Sequence, residues 1–121
     1  MGIDYSARME DGLLVVTSVG FDENIEQARD YGMWVIGEAL RQGATRILCD
    51  ERALEYRLST IDTFQIASDI ADAAPRLAQV ALVCNPQYID DAKFWENVAV
   101  NRGLTVKVFK ELEAALHWLG A

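Results

Sequence analysis

Proline, cysteine and histidine are scarce in this sequence, with 2, 2 and 1 residues respectively among 121. Cys49 and Cys84 each follow an aliphatic run, where cysteine is typical of a small buried hydrophobe, so we expect no disulfide. His117 lies near the end of the last predicted helix, where an imidazole interacts favourably with the helix dipole. It lacks the nearby residues that a metal site or a catalytic triad needs. We therefore expect neither a bound metal nor a cofactor.

Long apolar runs and an excess of basic residues are also missing. No stretch has the roughly 18 consecutive apolar residues of a membrane span, and the N-terminal residues lack a secretion signal. We therefore expect a cytoplasmic protein that is not an integral membrane protein. The 11 basic and 19 acidic residues give a net charge of −8, which would repel a phosphate backbone. Nucleic acid is not an expected partner.

The remaining composition favours one folded unit. Hydrophobic residues make up 51% and charged residues 25%, which is ordinary usage for a globular protein. A chain of 121 residues fits a single domain, which we expect to span residues 1–121. No glycine-rich phosphate-binding loop is present, and nothing couples a nucleophile to a base. The sequence therefore predicts a protein that is not an enzyme.

Periodicity predicts five strands and four helices. The first strand alternates apolar with polar residues, and Asp11-Gly12 is a typical hairpin turn signal. Residues 22–42 repeat near a period of 3.6, with Asp22 or Asn24 as the cap and Gly43 just past the end. The remaining predicted elements are strand 45–50, helix 59–74 closed by Pro75, strand 77–84, helix 85–103, strand 105–109 and helix 111–120.

The order ββαβαβαβα predicts an α/β fold with a five-stranded mixed sheet opened by an N-terminal β-hairpin. Strands separated by helices require right-handed crossovers and mainly parallel pairing. In the second predicted helix, Ile66 and Ile70 lie alongside the apolar stripe. The residues expected to face the core are Ile61, Phe64, Ala67 and Ala71 in the second helix, and Phe94, Trp95, Val98 and Ala99 in the third.

Ser59 occupies the most defined setting for a reactive side chain. Asp62 follows it at a spacing close to a capping box, so Ser59 can cap the second helix. The free amides of a helix start would also favour a phosphate on this hydroxyl. Only Arg52 and Arg57 are near enough in sequence to offset the added charge. Both interpretations, a cap and a phosphorylation switch, stay open.

Two further groups of residues have alternative interpretations. Asp50, Asp90 and Asp91 would suit a divalent cation if the strand ends lie side by side, but their spacing is not diagnostic and solvated acidic loops are common in a chain of this charge. A set of aromatic residues would either line an apolar pocket between sheet and helices or pack in the core. These residues are Phe64, Tyr88, Phe94, Trp95 and Trp118.

Residues 94–119, FWENVAVNRGLTVKVFKELEAALHWL, resemble the C-terminal signature of the SpoIIAA-like proteins. These are small bacterial single-domain proteins with a STAS-type fold, which is related in architecture to lipid-binding CRAL-TRIO domains. The last third of the chain resembles these proteins in amino-acid sequence, and the rest resembles them in the order of its predicted elements. It implies a mixed sheet with helices packed mainly on one side, in agreement with the fold predicted from periodicity.

The resemblance also implies a candidate interaction site. In the anti-sigma factor antagonists, which share the STAS fold, a strand-terminal Asp precedes a phosphorylated serine at the start of the second helix. Asp50 and Ser59 have the same offset of nine positions. Leu58 and Ile61 depart from the antagonist pattern. The residues implied as a phosphorylation or partner surface are Asp50, Ser59, Thr60 and Asp62.

We therefore predict a non-enzymatic STAS-like module that binds a protein partner in bacterial regulation, through the loop and helix start at residues 50–62. The alternative is a carrier or sensor of a small apolar, lipid-like ligand held between sheet and helices. The sequence leaves a homodimer open, and it identifies neither the partner nor the ligand.

Overall fold

The computed structural model describes residues 2–74 and 78–121, which form a five-stranded mixed sheet and four α-helices. The strands are β1 (Ile3–Glu10), β2 (Leu13–Phe21), β3 (Arg46–Glu55), β4 (Gln79–Cys84) and β5 (Thr105–Phe109). The helices are α1 (Ile25–Gln42), α2 (Thr60–Ala73), α3 (Ile89–Asn101) and α4 (Leu112–Trp118), with a 3₁₀ turn at Pro86–Tyr88 before α3. The predicted order ββαβαβαβα is confirmed.

The strands lie in the sheet in chain order, from β1 at one edge to β5 at the other. β1 pairs antiparallel with β2, and every later neighbour pairs in parallel. Asp11 and Gly12 join the first two strands with φ values of 52° and 81°. Positive φ at both central residues is the conformation whose twist matches that of the flanking strands. The predicted hairpin is therefore confirmed.

Three helices cover one face of the sheet, and α4 covers the other. α1 and α3 contribute Val35 and Ala92 to a cluster with sheet residues such as Ile47. On the opposite face, Ala115 and Leu119 join a separate cluster with residues of β2, β3 and β4. The second helix, α2, packs mainly on α1 and α3 rather than on strands. The predicted placement of helices mainly on one side is confirmed.

The caps of α1 follow the local sequence. Asn24 Oδ1 accepts the backbone N–H of Gln27 at 2.9 Å, and Gly43 ends the helix with a φ of 67°. A left-handed residue at this position is most easily a glycine. No helix in the described part of the chain is long and apolar enough to cross a membrane.

The inward stripe of α2 differs from the predicted one at its start. Ile66 and Ile70 are buried against α1, whereas Ile61 is 79% exposed and Phe64 is 45% exposed. The prediction that Ile61 and Phe64 face the core is wrong, because burial along their stripe of α2 begins only after Phe64. The predicted helix closure at Pro75 lies outside the described residues.

The predicted inward face of α3 is confirmed in part. Ala99 is buried, and the half-buried Trp95 packs against the core as predicted, whereas Phe94 and Val98 are only half-buried and Ala92 and Glu96 are buried instead. Ala99 forms a cluster with Ala71 of α2, so small side chains lie where the two helices meet. Such contacts bring helix axes close together and move the larger side chains to the flanks of the crossing.

β3 is longer than its apolar run predicts. The pattern indicates an end at Asp50, but β3 continues to Glu55 because β2 pairs alongside it as far as Phe21. Residues 50–55 therefore belong to the sheet and not to a loop. The predicted start of the next strand at Leu77 lies outside the described residues, and β4 begins at Gln79.

Candidate functional site

Strand β3 places a glutamate on the three-helix side of the sheet, because Glu51 continues the alternation set by Cys49. A β-bulge begins at this residue, since one residue of β2, Ser18, lies opposite two residues of β3, Glu51 and Arg52. The extra residue shifts the alternation of side chains, so that Glu51 and Leu54 face the same side. A carboxylate thus occupies a position that strands in a buried sheet normally fill with an apolar side chain.

Two tyrosine hydroxyls hold the carboxylate of Glu51. Tyr31, from α1, donates to Oε2 at 2.9 Å, and Tyr56, directly after β3, donates to Oε1 at 2.6 Å. The Tyr31 hydroxyl also lies 3.3 Å from Ser18 Oγ. Glu51 is only 6% exposed, and none of the salt bridges found between described residues involves it. Its charge is therefore supported by neutral donors.

Burial controls the protonation of this group. It raises the pKa of Glu51 to about 6, and the nearby charges of Asp22 and Asp50 act in the same direction, against the lowering effect of the two hydroxyls. Burial and the adjacent Glu51 raise the pKa of both Tyr31 and Tyr56 well above its usual range. At neutral pH, Glu51 is therefore mostly an ionised carboxylate that two neutral phenols hydrogen-bond.

Glu51 lies in the wall of an apolar cavity of about 140 Å³ between the sheet and the helices α1, α2 and α3. The cavity exists because α2 rests on α1 and α3 and leaves space above the strands. Among the lining residues of α1, Ala28 has a small side chain, and the Ile70 side chain packs directly against Gly32. The larger lining side chains include Val35, Ile36, Ile66, Ile70, Leu82 and Trp95.

The mouth of the cavity lies where β3 leads into α2 and β4 leads into α3. Leu58 and Thr63 are half-buried lining residues at the start of α2, and Asp91 is an exposed one at the start of α3. The carboxyl ends of parallel strands are the usual position for ligands in open α/β sheets. Asp22, Glu51 and Asp91 are the acidic members of the described lining, which contains no lysine, arginine or histidine.

The start of α2 forms a second feature beside this mouth, and we call residues 59–64 the helix-start surface. Ser59 Oγ accepts the backbone N–H of Asp62 at 3.1 Å, which confirms the predicted cap. Thr60 is exposed, like the apolar side chains Ile61 and Phe64. Residues three apart lie on the same side of a helix, so these two side chains form one apolar patch.

Asp50 has no hydrogen bond to the helix-start surface among the described residues. Alternation along β3 places it on the α4 side of the sheet, where Arg52 donates to its carboxylate at 2.7 and 2.8 Å. This contact holds the pKa of Asp50 below its usual range. Arg57 pairs with Glu55 at 2.9 Å. Both arginines that would offset a phosphate on Ser59 therefore already have acidic partners.

The structure does not bring the five predicted pocket aromatics together. Trp95 lines the cavity. Trp118 packs with α4 on the opposite face of the sheet, so it cannot reach the same space. Phe64, Tyr88 and Phe94 lie outside the described lining.

The three aspartates considered for a divalent cation are also separated. Asp50 lies on the α4 side, whereas Asp90 and Asp91 occupy the first turn of α3, where the helix dipole favours negative charge. Within residues 2–74 and 78–121, no group of three or more histidine, cysteine or acidic side chains is placed to hold a metal. Cys49 and Cys84 are buried and free, and burial raises the pKa of both thiols.

Comparison with known proteins finds a solved structure that is similar to this chain. No protein-family model matches the sequence, and no curated protein matches it. The solved anti-sigma factor antagonist from Mycobacterium paratuberculosis is similar over 99% of this chain and 96% of its own, with a TM-score of 0.68 and 15% sequence identity. This chain has a STAS-type fold. The fold expected from the sequence resemblance is thereby confirmed.

Sequence reasoning missed the polar end of the cavity in this STAS fold. Glu51 follows the apolar run of β3 and looks like the first solvent-facing residue after it. Alternation from Cys49 places Glu51 inward once β3 continues past Asp50, and that extension is not visible in the local apolar run. A second available signal is the helical spacing of Tyr31 with Ala28 and Val35, which places this tyrosine on the inward side of α1.

Proposed function

We propose that this chain is a non-enzymatic regulatory module whose helix-start surface binds a protein partner. The observation that carries this proposal is the exposure of Ile61 and Phe64, at 79% and 45%, in an otherwise polar turn. Exposed apolar side chains surrounded by polar ones are typical of protein interaction sites. The STAS fold adds support, because the matched protein is an anti-sigma factor antagonist and antagonists of that kind act on other proteins.

Charge defines the kind of partner that fits. The chain carries a net charge of −8, and Asp62 lies beside the apolar patch. Ser59 and Thr60 add hydroxyls to the same rim. The complementary surface is an apolar centre surrounded by basic residues, since opposite potentials speed encounter and select the partner.

The test compares two matched variants in co-purification and in binding to the purified partner. Ile61→Ser removes the most exposed apolar side chain of the patch and should weaken partner binding by about tenfold or more. Leu40→Ser changes a residue that is 63% exposed near the C-terminal end of α1, and it should leave binding unchanged. Equal loss in both variants, unchanged binding of Ile61→Ser, or no partner from the native host would contradict the proposal.

The cavity favours a second candidate function, the carriage or sensing of a small apolar ligand. Its volume of about 140 Å³ is similar to that of an engineered apolar cavity, about 150 Å³, which binds benzene. Drug-sized ligands occupy pockets of about 300 Å³ or more. The ligand that fits is therefore a molecule of roughly one ring, and a long-chain lipid would not fit within the cavity.

A further inference from the structure

Among residues 2–74 and 78–121, no cationic side chain pairs with the buried carboxylate of Glu51. Its neighbours Tyr31 and Tyr56 are neutral donors, and the other acidic lining residues add negative charge. An ionised group in an apolar interior is costly unless an opposite charge accompanies it, and neutral hydrogen bonds compensate only in part. A ligand that brings a positive charge into the cavity would therefore interact more favourably than a neutral ligand of the same shape.

The polar end of the cavity accepts hydrogen bonds and offers few. Each oxygen of Glu51 receives one tyrosine hydroxyl and keeps further acceptor capacity, since an ionised carboxylate has about four lone-pair sites. Both tyrosine protons are already donated to that carboxylate. A ligand carboxylate would find no cation in the described lining and would be repelled by Glu51, Asp22 and Asp91.

We propose that the cavity binds a small apolar amine whose ammonium group pairs with the carboxylate of Glu51. This inference rests on the second proposed function, binding of a small apolar molecule in the same cavity. The aliphatic walls and Trp95 surround the apolar body, and the volume admits about one ring. Asp91 at the mouth and the net charge of −8 favour the approach of a cation.

The test uses three single-ring probes that differ in their polar group: benzylamine, benzyl alcohol and benzoate. Binding is measured by titration calorimetry with the purified full chain at about pH 8, where Glu51 is ionised and the amine is protonated. Benzylamine should bind about tenfold or more tightly than benzyl alcohol, since both probes can donate a hydrogen bond to the Glu51 carboxylate but only the ammonium adds an opposite charge. Benzoate should show no detectable binding.

Glu51→Gln is the matched variant, because it removes the charge while keeping the shape: its Oε1 still accepts one tyrosine hydroxyl and its Nε2 can donate to the oxygen of the other. It should weaken benzylamine binding by about tenfold more than it weakens benzyl alcohol binding, because only the amine loses an ion pair. Should this variant fail to fold, Tyr56→Phe offers a second measurement. It removes one neutral donor from Glu51, and it should increase the preference for benzylamine over benzyl alcohol.

The outcomes distinguish failure of the amine inference from failure of the carrier function on which it rests. If benzyl alcohol binds but benzylamine binds no more tightly, or if Glu51→Gln keeps the preference, the amine inference is overturned and the cavity remains a site for neutral ligands. An unchanged or reduced preference in Tyr56→Phe also overturns it. If none of the three probes binds, both the inference and the carrier function are overturned.

Discussion

At the scale of single residues, Glu51 should make stability depend on pH. Its pKa of about 6 in the folded chain exceeds the ordinary value of 4.5, so between these values the folded state binds more protons than the unfolded state. Glu51 therefore stabilises the fold most below about pH 4.5, and this contribution is lost as the pH rises through about 6. The shift corresponds to roughly 2 kcal/mol in the free energy of unfolding.

Urea denaturation of the wild type and of Glu51→Gln at several pH values checks this expectation. The wild-type free energy of unfolding minus that of the variant should fall by roughly 2 kcal/mol between about pH 4 and 7. Glu38→Gln is a control on an exposed glutamate, whose pKa the Arg41 guanidinium lowers, and it should not reproduce this fall. A difference that stays constant with pH would contradict the burial of an ionised Glu51.

Ser59 gives a second prediction at this scale. Because its hydroxyl caps α2, Ser59→Ala should lower the free energy of unfolding by about 0.5–2 kcal/mol, whereas Ser59→Asp, itself a good cap, should be nearly neutral. Thermal and urea denaturation measure both variants. Equal stability of Ser59→Ala and the wild type would contradict the cap.

The same pair of variants tests whether Ser59 is also a phosphorylation switch. A phosphate would have to draw Arg52 or Arg57 away from its acidic partner, so we expect Ser59→Asp to bind the purified partner as the wild type does. If Ser59→Asp keeps its stability but loses partner binding while Ser59→Ala retains it, the switch interpretation replaces the cap-only one.

At the scale of elements, local signals predict where helices and turns begin and end. Asp11-Gly12, Asn24, Gly43 and Ser59 all have the predicted roles, because caps and tight turns depend on side chains within three or four positions. The extent of β3 is not a local property. Its last residues are extended because β2 continues beside them, and no pattern within residues 50–55 encodes that pairing.

The inward faces of α2 and α3 were harder to predict for the same reason. A helical stripe gives the period of apolar residues, but the neighbouring helices decide where along the stripe burial begins. Ile61 has the same spacing as Ala67 and Ala71, yet it is exposed while both of these are buried. The candidate site depends on such non-local features, since the extension of β3 beside β2 keeps Glu51 in the sheet and the placement of α2 creates the cavity.

At the scale of the whole molecule, α2 links the two candidate functions. Its first turn carries the helix-start surface, and Leu58, Thr63 and Ile66 contribute to the mouth and wall of the cavity. The helix rests on α1 and α3 rather than on the strands. A ligand under α2 and a partner on its first turn would therefore contact the same element.

The carrier function predicts a bound small molecule in protein purified from its native host. Native mass spectrometry of the wild type should show a retained mass of about one ring, roughly 100 Da, given the volume of the cavity. Ala28→Leu adds a side chain to the cavity wall, and it should lose that mass while remaining folded, since the added atoms occupy empty space. Leu40→Ser, which changes an exposed residue of the same helix, should keep the mass. A wild type at its bare polypeptide mass, or a retained mass that Ala28→Leu does not remove, would show that the cavity is not a carrier site and would leave the helix-start surface as the remaining candidate.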